Sequence, residues 1–162
     1  GFEPAGELVR GAVAAIGLGW GAGAHRRPGK TGLHRRLVWL SCRLVPLGLF
    51  AAALLPSYRV PALHVMFIGG FGLMAYGVAT HVVLSHLGFE AEALGRPRAV
   101  KWAAAGILLA LCARLAADLS HTYFDHLAWA AGLWIVGTGV WLADALRRIA
   151  GASAADASRR AS

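Results

Sequence analysis

The chain has 162 residues, of which 57% are hydrophobic and only 15% charged, and its mean hydropathy is +0.57. Soluble domains contain roughly 45–50% apolar and about 25% charged residues, so this composition excludes a water-soluble globular enzyme, a disordered tail and a disulfide scaffold. The formal net charge is +8. Because the basic residues lie beside long hydrophobic runs, we interpret them as determinants of membrane topology and expect no nucleic-acid partner.

Five apolar runs follow one another along the chain. A transmembrane helix needs ~20 residues to cross ~30 Å of hydrocarbon, and the last four runs meet this requirement. The first is the weakest, because it contains Glu7 and Arg10. The runs cover residues 7–24, 36–55, 62–87, 99–118 and 126–147, and a polar tail follows at 148–162. The sequence therefore predicts an all-α polytopic transmembrane bundle of about five spans, forming a single domain over residues 1–162.

Charge alternates between the connections that join these runs. Basic residues concentrate in residues 25–36, in residues 88–101 and in the tail. The connections between these segments contain a single arginine, Arg59, and no lysine. The positive-inside rule predicts that the three basic segments, and with them the C-terminus, are cytoplasmic. The N-terminus and the remaining connections then face the opposite side of a lipid bilayer.

Glycines in the first run follow the spacing of a helix-packing motif. Gly17 and Gly21 are four residues apart, and so are Gly19 and Gly23. Such pairs allow two helix backbones to approach closely in lipid. The sequence therefore predicts helix packing at these glycines.

Two arginines lie inside apolar runs. Arg114 is expected to snorkel outward or to pair with Asp118, which follows it by four residues on the same helix face. Arg43 lies deeper, roughly 10 Å from the cytoplasmic end of its helix. It either snorkels toward that end, the interpretation we favour, or meets an anion.

Seven histidines are the main polar signal, and ionisable residues within a membrane mark functional sites by default. His64 and His81 are about 25 Å apart along one helix, so they cannot bind one metal ion. His64 can share a metal with His121 or His126 if the third and fifth spans touch, and Asp118 lies beside that pair in sequence. Neutral imidazole binds haem iron, copper and zinc, and the residues do not choose between them.

The remaining histidines have a simpler interpretation. A histidine at a helix end often lies in the headgroup layer without a chemical role, and this is what we expect of His25 and His34 in the first basic segment. His81 and His86 are roughly 140° apart around one helix. They therefore face different ways, and only one of them is expected to line the bundle.

The third run carries a pattern that resembles the NnrS family of haem- and copper-containing membrane proteins, which are linked to the response to nitric oxide. The matching residues are His64, Gly69, Gly72, Met74, Val78, Thr80, His86 and Gly88. Neighbouring runs add Leu33-His34, Pro46-Leu47-Gly48, Arg114-Leu115 and Trp134. The resemblance covers about residues 33–147. NnrS proteins have about twelve spans of ~20 residues each, so it also implies that this chain is the C-terminal part of a longer protein.

The resemblance implies bound haem, possible copper, nitric oxide as a small-molecule ligand, and protection against nitrosative stress in a bacterial inner membrane. By their positions in the matching pattern, His64 and His86 are the cofactor ligands that the resemblance implies. His34 is a weaker candidate. The family has arginines where this chain has His81 and Phe89. We therefore expect His81 to substitute for one of them at the cofactor.

Two other functions stay open at this point. A bis-histidine haem protein that carries electrons would use the same residue types, and a metal-free transporter or structural membrane subunit would need none of them for chemistry. No electron path or proton path can be traced along the sequence. The sequence therefore leaves undecided whether the protein is an enzyme.

Overall fold

The computed structural model describes residues 4–161, apart from the side chains of residues 90, 155–157, 160 and 161. Within this range the chain is helical and contains no strand, which confirms the all-α prediction. The helices are α1 (Pro4–Ile16), α2 (Leu33–Leu54), α3 (Arg59–His64), α4 (Leu73–His86), α5 (Glu90–Ala93), α6 (Arg98–Ala117) and α7 (Tyr123–Ala161). A π-helical turn, Gly17–Gly21, continues α1, and a π-helical segment, Val65–Gly72, joins α3 to α4.

Four helical segments are long and apolar enough to cross a membrane. They are Leu33–Leu54, Pro56–His86, Ala91–Ala117 and Tyr123–Ala154. These segments correspond to the last four predicted runs. The first run also forms a helix, but α1 has only 13 residues before the π turn begins. It packs against α2, where the ring of Phe50 fills the space beside Gly11.

The packing predicted for the glycine pairs of the first run is not found among the described residues. A Cβ atom built at any of these four positions meets no other atom within 4 Å. The spacing aligns glycines on one face only in a regular α-helix, whereas this stretch is π-helical and then leaves the helix with φ +68° at Gly23. The four positions are Gly17, Gly19, Gly21 and Gly23.

Other glycines bring α2 against the third span. A Cβ at Gly48 would lie 2.6 Å from the backbone nitrogen of Met66, and one at Gly70 would lie 2.6 Å from a methyl group of Val45. Without side chains at these positions the two backbones approach closely, as small residues allow in membrane helices. The register of α2 against the third span is fixed by these contacts.

The core lies where α2, α4 and α6 meet. It is built from Leu37, Leu73, Val100, Ala104 and Ile107. By contrast, only 11% of the α7 span is buried, against 39–44% of the other three. The outward face of α7 is rich in large apolar side chains, including Phe124, Trp129, Ile135 and Val136. Such a surface suits a lipid bilayer.

The three basic segments gather at one end of the bundle, which we call the basic end. The amide of Leu33 donates to the carbonyl of Gly95 at 3.0 Å, and this bond joins the basic segment 25–36 to the basic segment 88–101. Arg148 on α7 pairs with Glu92 at 2.8 Å and so joins α7 to the same end. The alternation of charge along the sequence is thus reproduced in space. The segment 148–162, predicted as a polar tail, continues α7 as far as Ala161 because its many alanines favour helix.

The two intramembrane arginines behave as their sequence positions predict. Arg114 pairs with Asp118. Arg43 donates to the carbonyl of Ala24 at 2.6 Å, and its guanidinium lies 3.7 Å from the centroid of the Trp39 ring. The Arg43 side chain therefore reaches toward the basic end, as snorkelling requires.

A hydrogen bond between α4 and α7 gives a test of this packing. The indole Nε1 of Trp141 donates to the hydroxyl of Thr80 at 2.9 Å, and Thr80 is buried. Replacing Thr80 with valine keeps the shape and removes the acceptor, so we expect the free energy of unfolding in detergent to fall by about 1 kcal/mol. Ser153→Ala, at an exposed position within α7, is the control and should change it by less than ~0.5 kcal/mol. Equal effects of the two substitutions would contradict the role given to this bond.

Candidate functional site

Two histidines from different helices meet at the basic end. His34 is the second residue of α2, and His81 lies on α4; their rings are stacked with centroids 5.3 Å apart and planes 16° apart. His34 is only 1% exposed, and neither of its ring nitrogens has a hydrogen-bond partner among the described residues. Since buried polar atoms are nearly always hydrogen-bonded, such an exception calls for a ligand or another explanation.

Two glycines position this pair. A Cβ at Gly77, four residues before His81, would lie 2.6 Å from Cγ2 of Val38 and 3.0 Å from the carbonyl oxygen of His34. Only a residue without a side chain lets α4 come this close to α2. Gly32 has φ +131°, a conformation that favours glycine, and a Cβ there would lie 2.5 Å from the carbonyl oxygen of Ala93. The start of α2 therefore lies in close contact with the basic segment 88–101, and this contact buries His34.

The histidine pair lies on the wall of a cavity of about 580 Å³, which we call the histidine cavity. Its volume is within the ~300–1,000 Å³ usual for small-molecule and cofactor sites. Its polar and reactive lining residues are Arg26, Arg27, Lys30, His34, Arg35, Trp39, Cys42 and His81. No carboxylate is among the described lining residues, so the cavity is strongly basic.

These residues fit the haem that the sequence resemblance implies. A buried imidazole nitrogen without a hydrogen-bond partner is free to bind iron, and cations beside it can pair with the carboxylates that haem carries. The indole Nε1 of Trp39 is also buried without a partner. Because the two rings are stacked face to face, their nitrogens do not point at one shared atom between them. One histidine of the pair, and not both, would therefore hold the iron.

The residues first expected as ligands are distributed over both ends of the bundle. His64 ends α3, and its Nδ1–H donates to the carbonyl of Val60 at 2.8 Å, which leaves Nε2 as an acceptor atom. His86 ends α4 and is exposed, with no hydrogen bond or ring contact in the described part of the chain. His81 alone among these three contacts another histidine.

The predicted metal set lies at the end of the bundle opposite the basic end. His121 precedes α7 and is exposed, and His126 lies in the first turns of α7. Asp118 is engaged by Arg114. Across the described residues, no three His, Cys, Asp or Glu side chains lie close enough together to hold a metal ion. Binding of a metal by His64, His121, His126 and Asp118 stays a prediction.

Sequence reasoning undervalued His34. His34 lies near the start of a span that follows a basic segment, a position typical of a histidine in the lipid headgroup layer. Its burial depends on contacts with Gly77 and Gly32. Nothing within α2 itself signals those contacts. The motif residues Leu33-His34 were the one sequence feature that pointed to this position.

Long apolar helices, a lipid-compatible outer surface and a histidine buried at the basic end define a polytopic membrane protein. The chain belongs to the NnrS family, since residues 4–152 match the family model described as NnrS protein. This match covers nearly the whole chain and includes α1, which the sequence resemblance did not reach. No curated protein and no solved structure matches the chain significantly.

Proposed function

We propose that this protein is a haem-binding membrane protein of the NnrS type that acts in tolerance of nitric oxide. The observation that supports this most directly is the buried, unpartnered imidazole of His34 on the wall of a basic cavity. Membership of the NnrS family agrees with it. Haem iron with an open axial position binds nitric oxide, which is the chemistry that the cofactor would supply.

The residues of the histidine cavity have separate roles in this proposal. His34 would hold the haem iron through a ring nitrogen, and the stacked ring of His81 would hold the orientation of His34. Arg26 and Arg27 neutralise the haem carboxylates. Trp39 and Val38 form an apolar part of the cavity wall, which would limit the access of water to the site. Because α2 and α4 carry the two histidines, the site depends on the packing of these spans.

Copper is the second metal in this proposal. His64 is the residue proposed for it, because the hydrogen bond of its Nδ1 to Val60 leaves Nε2 available for a metal. His121 and His126 are proposed as its partners. The proposed setting is a bacterial inner membrane with the basic end, and so the C-terminus, on the cytoplasmic side.

Absorption spectroscopy of single histidine variants tests the haem proposal. The protein is purified in detergent from haem-replete cells, and spectra are recorded oxidised, reduced and after addition of nitric oxide. We expect a Soret band that shifts with nitric oxide, and at least a tenfold loss of bound haem in His34→Leu. His25→Leu is the matched control: His25 lies in the same basic segment but is exposed and bonds only the carbonyl of Gly19. Its spectrum should equal that of the unaltered protein.

Each other outcome has a definite meaning. Retention of the Soret band in His34→Leu, with its loss in His64→Leu or His86→Leu, would transfer the ligand role to the residues implied by the sequence resemblance. A band indifferent to nitric oxide would favour the electron carrier. A colourless, metal-free protein would reject haem and copper together.

A further inference from the structure

A second cleft, of about 650 Å³, adjoins the histidine cavity at the basic end. Its lining includes the side chains of Lys30, Thr31, Arg35, His81 and Ser85. We call it the basic cleft. The proposed haem function assigns no role to Thr31 or Ser85, and it leaves the positive charge of the cleft unexplained.

The cations of the basic cleft have no acidic partner among the side chains that the structure describes. No carboxylate of the described residues lies within ion-pair distance of Lys30 or Arg35. Glu92, on the neighbouring α5, is bound by Arg148 at 2.8 Å. The Nε–H of Arg35 is buried and has no acceptor in the described part of the protein. A buried donor of this kind is costly unless an acceptor reaches it.

The other groups at the cleft are donors as well. Thr31 and Ser85 contribute hydroxyls, of which that of Ser85 also lies 3.4 Å from Nδ1 of His81. The helix that begins at Leu33 presents its N-terminus beside them. The N-terminus of a helix of 22 residues carries a partial positive charge that favours an anion. Two cations and two hydroxyls together suit an anion with several acceptor oxygens. We propose that the basic cleft binds a phosphate group.

The depth of the cleft makes the phosphate of a lipid headgroup accessible. The spanning segments on either side of it end at Leu33 and His86, which is where hydrocarbon gives way to headgroups. A general attraction between positive surface charge and anionic lipid does not explain which groups line the basic cleft. The other basic segment also forms a cleft, lined by Arg98, Lys101, Trp102 and Ala105, but that lining contains no hydroxyl. It also contains none of the buried unpartnered donors found in the described residues.

Binding of defined phosphate probes tests the proposal. The full chain is purified in neutral detergent without added haem, and phosphatidylglycerol, phosphatidylcholine and inorganic phosphate are titrated separately. Bound lipid is counted by native mass spectrometry, and phosphate binding is measured by calorimetry. A cation near anionic lipid contributes about fivefold in affinity, so Lys30→Gln/Arg35→Gln should bind phosphatidylglycerol about 20-fold more weakly. Arg98→Gln/Lys101→Gln is the control of equal charge and should lose less than about threefold.

A third variant separates the site from charge alone. Thr31→Val/Ser85→Ala keeps both cations and should still weaken binding several-fold. Saturation by inorganic phosphate, with the same loss in the variants, would support the site and identify free phosphate as its ligand. Equal losses in the two charge variants, or no loss in Lys30→Gln/Arg35→Gln, would overturn the proposal. Because the measured quantity is bound lipid or phosphate, these results are independent of the haem spectra.

Discussion

Replacing Gly77 with alanine is expected to lower the free energy of unfolding by about 2–3 kcal/mol, which is the upper part of the range for overpacking a close contact. The new Cβ would lie 2.6 Å from Cγ2 of Val38 and 3.0 Å from the carbonyl oxygen of His34. Because α2 and α4 must separate to relieve these contacts, His34 moves away from His81. We therefore expect a loss of bound haem together with the loss of stability.

Gly139→Ala is the matched control for this substitution. Gly139 also lies within a helix, but a Cβ built there meets nothing within 4 Å. Alanine in a helix is favoured over glycine by up to ~1 kcal/mol, so this control should be neutral or slightly stabilising. Denaturant titration in micelles, followed by tryptophan fluorescence, measures both variants. If Gly77→Ala is as stable as Gly139→Ala, the close approach of α2 and α4 does not hold.

Replacing Asp118 with alanine is expected to cost about 2–3 kcal/mol, less than the ~3–5 kcal/mol for breaking a fully buried ion pair, because the side chain of Asp118 is 26% exposed. Arg114 is only 4% exposed and pairs with Asp118, and its guanidinium also lies 5.8 Å from the centroid of the Tyr123 ring. The loss of Asp118 leaves a buried positive charge that cannot be deprotonated. The same denaturant titration measures the effect.

Two further variants test whether the unpaired charge of Arg114 causes the loss of stability. Arg114→Met/Asp118→Ala removes both charges and should recover much of the lost stability, since an apolar replacement of a buried pair is often neutral. Asp125→Ala removes an exposed carboxylate from the first turn of α7 and should cost about 0.3–1 kcal/mol through the helix dipole. A double variant as unstable as Asp118→Ala would show that the defect is not the unpaired charge.

The part of the chain that matches the family model includes α1. The match begins at residue 4 and includes the helix whose Glu7 pairs with Arg59 at 2.9 Å, so α1 is tied to the start of α3. At its other end, the carbonyl of Ala24 accepts from Arg43. The α1 helix and the loop after it are thus held to the spans at both ends. The loop contributes Arg26 and Arg27 to the histidine cavity, which links the α1 segment to the candidate site.

The sequence by itself determined the features that depend on local geometry. Length and hydropathy predicted about five spans, and the last four are the helices that the structure shows to be long and apolar enough to cross a membrane. These runs can be read from sequence because a helix needs only its own residues to satisfy its backbone in lipid. The alternation of basic connections predicted that they share one end. The pair of Arg114 and Asp118 followed from helical spacing. The direction of Arg43 followed from its distance to the end of α2.

Only the tertiary structure decided which residues from different helices meet. The pairing of His34 with His81 depends on the register of α2 against the third span. That register is set by glycine contacts and by the π-helical segment Val65–Gly72, which changes the angular positions of all later residues. Hydropathy does not encode this register, because apolar side chains pack equally well against lipid and against other helices. A motif spacing thus predicted packing at Gly17 and Gly21, whereas the close approach that builds the site occurs at Gly77.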